Sequence, residues 1–189
     1  MSSARSEAAS PAATVVESVD LDALYREHAR TVARWVAHLG GPSVDVDDLV
    51  HEIFLIAQRR LPEFRGDAKV TTWLYRITAR VVSSRRRRDR ARRWMSNVWR
   101  GDVEHATTPS AVTPVEELER QEARATVYRA LDGLGEKYRS LLILFELEGL
   151  SGEEITVLTG IKLSTVWVRL HRARALFLAE LDGDERGTR

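Results

Sequence analysis

An all-α chain, built as two small helical domains joined by a flexible linker, is what the sequence predicts, and three observations carry that reading. Apolar residues recur at three- and four-residue spacing, while Val, Ile and Thr never form a convincing period-2 run. Prolines stand only at positions 11, 42, 62, 109 and 114, so the stretches Glu63 to Thr108 and Val115 to Arg189 can be helical without interruption. Charge is partitioned along the chain: Arg76 to Arg100 holds ten arginines and one acid, Asp89, whereas Gly101 to Glu154 holds twelve acids and five bases. From Ile155 onward six basic residues face four acidic ones.

Taken in order, residues 1–18 form an Ala/Ser-rich tail without an apolar stripe. The first domain, 19–95, opens with a helix from Leu21 to Leu39 that Gly40-Gly41-Pro42 ends. Asp45 caps a second helix with Asp47 and Asp48 in its first turn, where carboxylates favour the positive end of the dipole. Leu49, Ile53, Ile56 and Ala57 form its buried stripe, and Pro62 ends it. A loop from Phe64 to Lys69 leads into a third helix marked by Trp73/Leu74, Ile77 and Val81/Val82, which runs into Arg85-Arg86-Arg87-Arg88. Gly, Thr, Pro and Ser make 96–114 a linker.

The second domain, 115–182, begins with an acidic helix that continues through Tyr138 to Leu147 and stops at Gly149. Ser151 with Glu154 is a capping box for a short helix that turns Ile155 and Leu158 inward. Gly160-Ile161-Lys162 is a turn, and Ser164 caps a last helix with Val166, Leu170, Ala173 and Phe177 on one stripe; 183–189 is a tail. A short helix, a Gly-containing turn and an amphipathic second helix make a helix-turn-helix.

With the stripe buried, Ser164, Val168, His171 and Arg172 point away from it and Trp167, Arg169 and Arg174 flank them. Such a face suits a major groove: Arg pairs bidentately with guanine, Val meets a thymine methyl, and flanking Arg neutralises phosphate. The bland alternative is a solvated terminal helix. The arginine run reads either as a solubilising segment or, with Phe64, Trp73, Tyr75, Trp94 and Trp99 nearby, as a surface for unpaired bases. Periodicity places Trp73 on the apolar stripe, where a core role competes with stacking.

Other classes are excluded by composition. The 189 residues carry 29 Lys+Arg, 28 Asp+Glu and 43% hydrophobic residues, which suits small soluble domains with real cores. No apolar run approaches the roughly 20 residues of a membrane helix, and Met1 to Val19 lacks an apolar signal region, so no membrane insertion is expected and a reducing cytoplasm is the default. Zero Cys excludes disulfides, thiolate zinc sites and Cys nucleophiles. His51-Glu52 fails as the start of a HExxH zinc motif because position 55 is Leu55, and capping explains Asp45, Asp47 and Asp48 without a metal. With no phosphate loop, nucleophile elbow or paired catalytic carboxylates, no enzyme, cofactor or metal is expected.

The two blocks together resemble the extracytoplasmic-function (ECF) sigma factors of bacterial RNA polymerase. Asp47-Asp48-Leu49-Val50-His51-Glu52-Ile53-Phe54 is similar to region 2.2, and Phe64-Arg65-Gly66-Asp67 with Thr72-Trp73-Leu74-Tyr75-Arg76-Ile77 to region 2.3 leading into 2.4. Glu148-Gly149-Leu150-Ser151 through Leu170-His171-Arg172-Ala173-Arg174 resembles region 4.2. The resemblance spans about residues 20 to 182 and implies a region 2 helical bundle, a region 4 helix-turn-helix and no catalytic site.

It also implies roles. Asp47, Asp48, Leu49, Glu52 and Phe54 would dock the clamp helices of core polymerase, whose flap is a second contact. The loop from Arg65 through Lys69 to Thr71 would hold a flipped base of the partly single-stranded −10 element. Trp73, Arg76, Arg80, Ser84 and Arg85, Arg86, Arg87 and Arg88 would follow that strand. On duplex −35 DNA, Val168, His171 and Arg172 would read the element while Lys162, Arg169 and Arg174 grip phosphate, with Ser164 and Thr165 also among the DNA-binding residues. A partner anti-sigma factor is implied too. The chain departs from the family at His51, where Gln is usual, at Arg80, where Asn is common, and at Trp167-Val168, which often holds a basic-Ser pair, so the promoter sequence does not carry over. A helix-turn-helix regulator acting without polymerase is the competing reading; it explains Ser151 to Phe177 but not Asp47 to Arg88.

Overall fold

The computed structural model describes residues 20–64, 66–99 and 114–187. The expected N-terminal tail, Arg65 and most of the expected linker lie outside the described residues; of the expected C-terminal tail, 183–187 instead continue the last helix, which ends at Gly187. Among the described residues the chain is helical and no strand forms.

Helix α1 (Leu21–Gly40) starts where the Asp20 carboxylate accepts the Asp22 N–H, and it ends at Gly41, whose φ of +86° an L side chain rarely adopts. Its inward stripe is Leu24, Val32, Trp35, Val36 and Leu39. In α2 (Val46–Arg60) the Asp45 carboxylate accepts the Asp48 N–H at 3.0 Å, so that carboxylate is occupied as a cap. Pro62 sits inside a 3-10 turn, Leu61–Glu63, that closes the helix. Helix α3 (Val70–Trp99) spans about 45 Å at 1.5 Å per residue and continues past the expected linker boundary at 96. Its first half buries Leu74, Tyr75, Ile77, Thr78, Val81 and Val82 against α1 and α2; its second half is polar. The Trp35 and Tyr75 rings meet edge-on at 5.4 Å between α1 and α3.

In the second block, the expected continuous helix through Leu147 is broken. Helix α4 (Pro114–Gly133) stops at Gly133-Leu134-Gly135, α5 (Glu136–Leu142) follows, and Ile143–Leu147 forms a π-helical turn. The glycines flanking Leu134 favour the break, and the buried Leu134 anchors it. Helix α6 (Gly152–Thr159) carries the expected capping box: Ser151 Oγ accepts from Glu154 N–H, and the Glu154 carboxylate from Ser151 N–H at 2.8 Å. Gly160 at φ +76° makes the turn. Helix α7 (Leu163–Gly187) begins two residues earlier than expected: the Lys162 carbonyl accepts from Val166 N–H, and Ser164 lies in the first turn rather than at the cap. Val166, Leu170 and Ala173 are fully buried under α4, α5 and α6. The two blocks pack together, α6 against α3 and the π-helical turn against α1.

Candidate nucleic-acid interface

Burying Val166, Leu170 and Ala173 fixes the roll of α7. The outward face then consists of Ser164, Val168, His171 and Arg172, all exposed, with Val168 at 52%. Thr165 and Arg169 are half-buried at its edges, and Lys162 is exposed at its start. The Arg172 guanidinium beside the Tyr138 hydroxyl is the first of the effects that pull that phenol below its ordinary pKa. Arg174 does not present a free cation as expected. Its Nε and Nη2 both donate to Glu146 Oε1, at 2.9 and 2.7 Å, and its guanidinium lies over the Phe145 ring. Trp167 flanks the face by leaning edge-on against Phe145 at 5.7 Å.

On α3, Arg76, Arg80, Arg87 and Arg88 are exposed, whereas Ser84, Arg85 and Arg86 are partly covered. Arg85 reaches Asp48 Oδ2 at 3.7 Å and Asp89 Oδ2 at 3.5 Å. Arg80, Ser84 and Arg88 share a cleft of about 210 Å³ with Glu52 and Arg60 of α2. Lys69 is exposed and Thr71 half-buried at the entrance to α3. Trp73 is half-buried with its ring 5.1 Å from that of Phe64, a packed pair rather than a free platform. Tyr75, also named for stacking, is in the core; burial, reinforced by Glu136 and Glu148, holds its phenol protonated. Trp94 is 70% exposed and is the available ring, while the Trp99 side chain lies outside the described residues.

The acidic face of α2 consists of exposed Asp47 and Asp48 and half-exposed Glu52. Leu49 and Phe54, expected on it, lie in the core instead, Phe54 against the Tyr25 ring at 4.8 Å. Their part is to set the roll that turns the carboxylates outward. Sequence reasoning missed an apolar cleft of about 440 Å³ between α4, α5, the π-helical turn and α7, lined by Leu131, Leu142, Ile143 and Phe177 with Glu146 and Arg174 at its rim. Val127, Leu147 and Leu178, apolar residues off the stripes that periodicity assigns inward, also line it and are exposed.

Comparison with known proteins places both blocks. The family model for Sigma-70 region 2 matches residues 24–93, and that for Sigma-70, region 4 matches residues 124–177. The ECF RNA polymerase sigma-E factor of Escherichia coli (strain K12) is 35% identical over 150 residues, which cover 77% of this chain and 76% of that protein. The RNA polymerase sigma-H factor of Pseudomonas aeruginosa is 35% identical over 134 residues, 69% of each chain. Among solved structures, CnrH in complex with the cytosolic domain of CnrY matches 87% of this chain and 88% of its own at 25% identity and a TM-score of 0.55. The sigma factor RpoE in complex with the anti-sigma factor NepR from Bartonella quintana matches 84% and 94% at 21% identity and a TM-score of 0.56, a likeness of fold. A regulator made of a helix-turn-helix alone would leave the match over 24–93 without a cause.

Proposed function

The chain belongs to the extracytoplasmic-function sigma factors of bacterial RNA polymerase, and from that premise we propose how its surfaces divide the work. It binds the clamp helices and flap of core polymerase, recognises −10 and −35 promoter elements and promotes duplex opening. It has no catalytic centre of its own and acts in the cytoplasm, where polymerase supplies the chemistry. An anti-sigma factor holds it in check, as NepR is bound to one structural relative.

The observation that carries this reading is the order, in one chain, of an acidic α2 face, an arginine-lined α3 and a helix-turn-helix whose second helix turns Val168, His171 and Arg172 outward. Asp47, Asp48 and Glu52 dock the clamp helices, as an acidic face suits a basic partner. Val168 and Arg172 read −35 base edges while Lys162 and Arg169 position the phosphates. Lys69, Thr71, Arg76, Arg80 and Arg85 to Arg88 follow the opened −10 strand. Unstacking costs a few kcal/mol per base, which base contacts and electrostatic capture of the strand offset.

The test is transcription from purified parts: core polymerase, a library of genomic promoter fragments, and this protein added or withheld. Protein-dependent transcripts sharing upstream elements at fixed spacing are the expected result. Duplex binding by the protein alone, with no responding fragment, would replace this reading by a polymerase-independent regulator.

A further inference from the structure

Among the described tryptophan side chains, Trp94 alone has no place in the packing. Trp35 is in the core, Trp73 is paired with Phe64, and Trp167 leans on Phe145. Trp94 is 70% exposed, and among the described residues no ring or guanidinium stacks on it.

Its position continues the surface assigned to the −10 strand. At 100° per residue, Arg76, Arg80, Arg87 and Trp94 fall within about 40° of one another, on the side of α3 opposite the buried stripe of Leu74, Ile77, Thr78, Val81 and Val82. The last three of the four are seven residues apart, so each step is about 10.5 Å along the axis. Arg76, Arg80 and Arg87 are all exposed. A strand laid along these guanidinium groups meets the indole at its next step.

Charge selects the occupant. Asp89, the one acid between Arg76 and Arg100, is engaged by Arg85 at 3.5 Å and by Arg92 at 2.9 Å. It therefore leaves Arg87 and Arg88, exposed within two turns of the ring, without a carboxylate of their own segment. An unpaired nucleotide supplies both things this surface lacks, a phosphate for the arginines and a flat face for the indole. Every base has such a face, so the contact is indifferent to sequence.

We propose that Trp94 extends the −10 surface by one stacking site: an unpaired base of the opened strand lies on its indole while Arg87 holds the backbone beside it. The proposal rests on the assignment of the opened strand to α3. It adds a contact one residue beyond the span 24–93 that the region 2 family model matches, and one that reads no base identity.

The test uses the full-length protein assembled with core polymerase on a promoter fragment that responds in the transcription assay. 2-Aminopurine, which brightens when it unstacks and is quenched on an aromatic ring, replaces adenines of the opened −10 strand one at a time. In the parent one opened position stays dim; Trp94→Ala makes it bright and Trp94→Phe keeps it dim. The open complex of Trp94→Ala dissociates about tenfold faster, equivalent to about 1.4 kcal/mol. That factor holds at every salt concentration, whereas the effect of Arg87→Ala shrinks as salt rises. Changing the base at the dim position leaves the lifetime unchanged. Co-purification of Trp94→Ala with core polymerase and its circular dichroism melt match the parent, since little of the ring is buried. Equal brightness of parent and Trp94→Ala at every position, or an open complex of parental lifetime, overturns the stack. Loss of polymerase binding overturns it too, by assigning the ring to that interface. Arg80→Ala judges the underlying assignment separately: if it leaves the open complex unchanged, the −10 reading of α3 fails, while the aminopurine result still decides whether Trp94 holds a base.

Discussion

Gly152 is the tightest point in the helix-turn-helix, and replacing it with alanine tests whether close approach there sets the pose of the recognition helix. A Cβ on Gly152 would stand 2.7 Å from Trp167 Cζ2, 2.9 Å from Leu163 Cδ1 and 3.1 Å from Trp167 Cε2. Contacts under 3.0 Å force movement, and Trp167 is not free to move in every direction because its ring leans on Phe145. Overpacking of this kind costs about 1–3 kcal/mol. Alanine returns at most about 1 kcal/mol through helix propensity, and less in the first turn, where Gly152 sits. The expected net loss is therefore about 1–2 kcal/mol, with melting falling by roughly 4–8 °C per kcal/mol for a domain of this size.

Thermal melts of the parent, Gly152→Ala, Trp167→Ala and the double variant form the assay. Trp167 is 45% exposed, so its own truncation is tolerated, and removing the indole should relieve the alanine: a coupling of about 1 kcal/mol or more is expected. Binding of −35 duplex should weaken in Gly152→Ala and recover in the double variant, because the same indole flanks Val168. A neutral or stabilising Gly152→Ala, or an equal loss with and without Trp167, would refute the close-approach reasoning.

Other outcomes follow from single contacts. Glu146→Ala removes the carboxylate that occupies both donating nitrogens of Arg174; duplex affinity should rise at low salt and the log–log salt slope steepen by about one phosphate contact, as read by titrations at several salt concentrations. Glu52→Arg reverses charge on a half-exposed side chain of α2, so co-purification with core polymerase should be lost while the circular dichroism melt stays near that of the parent. Hydrogen bonds from Ser151 hold the Glu154 carboxyl below its ordinary range, so the capping box stabilises fully above that range and the gain is lost as pH falls through the lowered value. The melting difference between the parent and Glu154→Gln should accordingly shrink as pH is lowered; a constant difference would assign the cap no ionic part.

What was legible in the sequence is what periodicity and capping determine locally. Asp45, the Ser151–Glu154 box and the Val166/Leu170/Ala173 stripe are each set by residues within a turn or two of one another, and each stands where expected. The misplacements of Phe54 and Arg174 share one physical source, partners distant in sequence. Phe54 belongs to a motif whose outward members are the carboxylates, and only the packing of α1 and α3 shows its side of α2 to be covered, whereas Leu49, which the resemblance puts on the docking face, lies on the buried stripe that periodicity assigns it. Arg174 follows the spacing of a phosphate contact, yet Glu146, 28 residues earlier, takes its hydrogen bonds. Ser164 has a capping residue's chemistry, and α7 starts ahead of it all the same.

The charge partition shows the same limit at the scale of the whole chain. Read as a string, ten arginines followed by an acidic stretch suggest one part for nucleic acid and another that repels it. In the folded chain several of those acids meet those arginines: Asp132 and Glu136 lie on Arg86, and the Asp132 carbonyl accepts from Arg90 at 3.1 Å. A formal net charge of +1 thus results from two surfaces that complement each other within one molecule. The donors that Arg86 and Arg90 direct at the Asp132 carboxylate and carbonyl serve the fold, while each guanidinium keeps further N–H groups, Arg86 Nε among them. The arginine run is therefore divided by the fold: Arg86 and Arg90 are engaged by Asp132, and Arg87 and Arg88 face solvent.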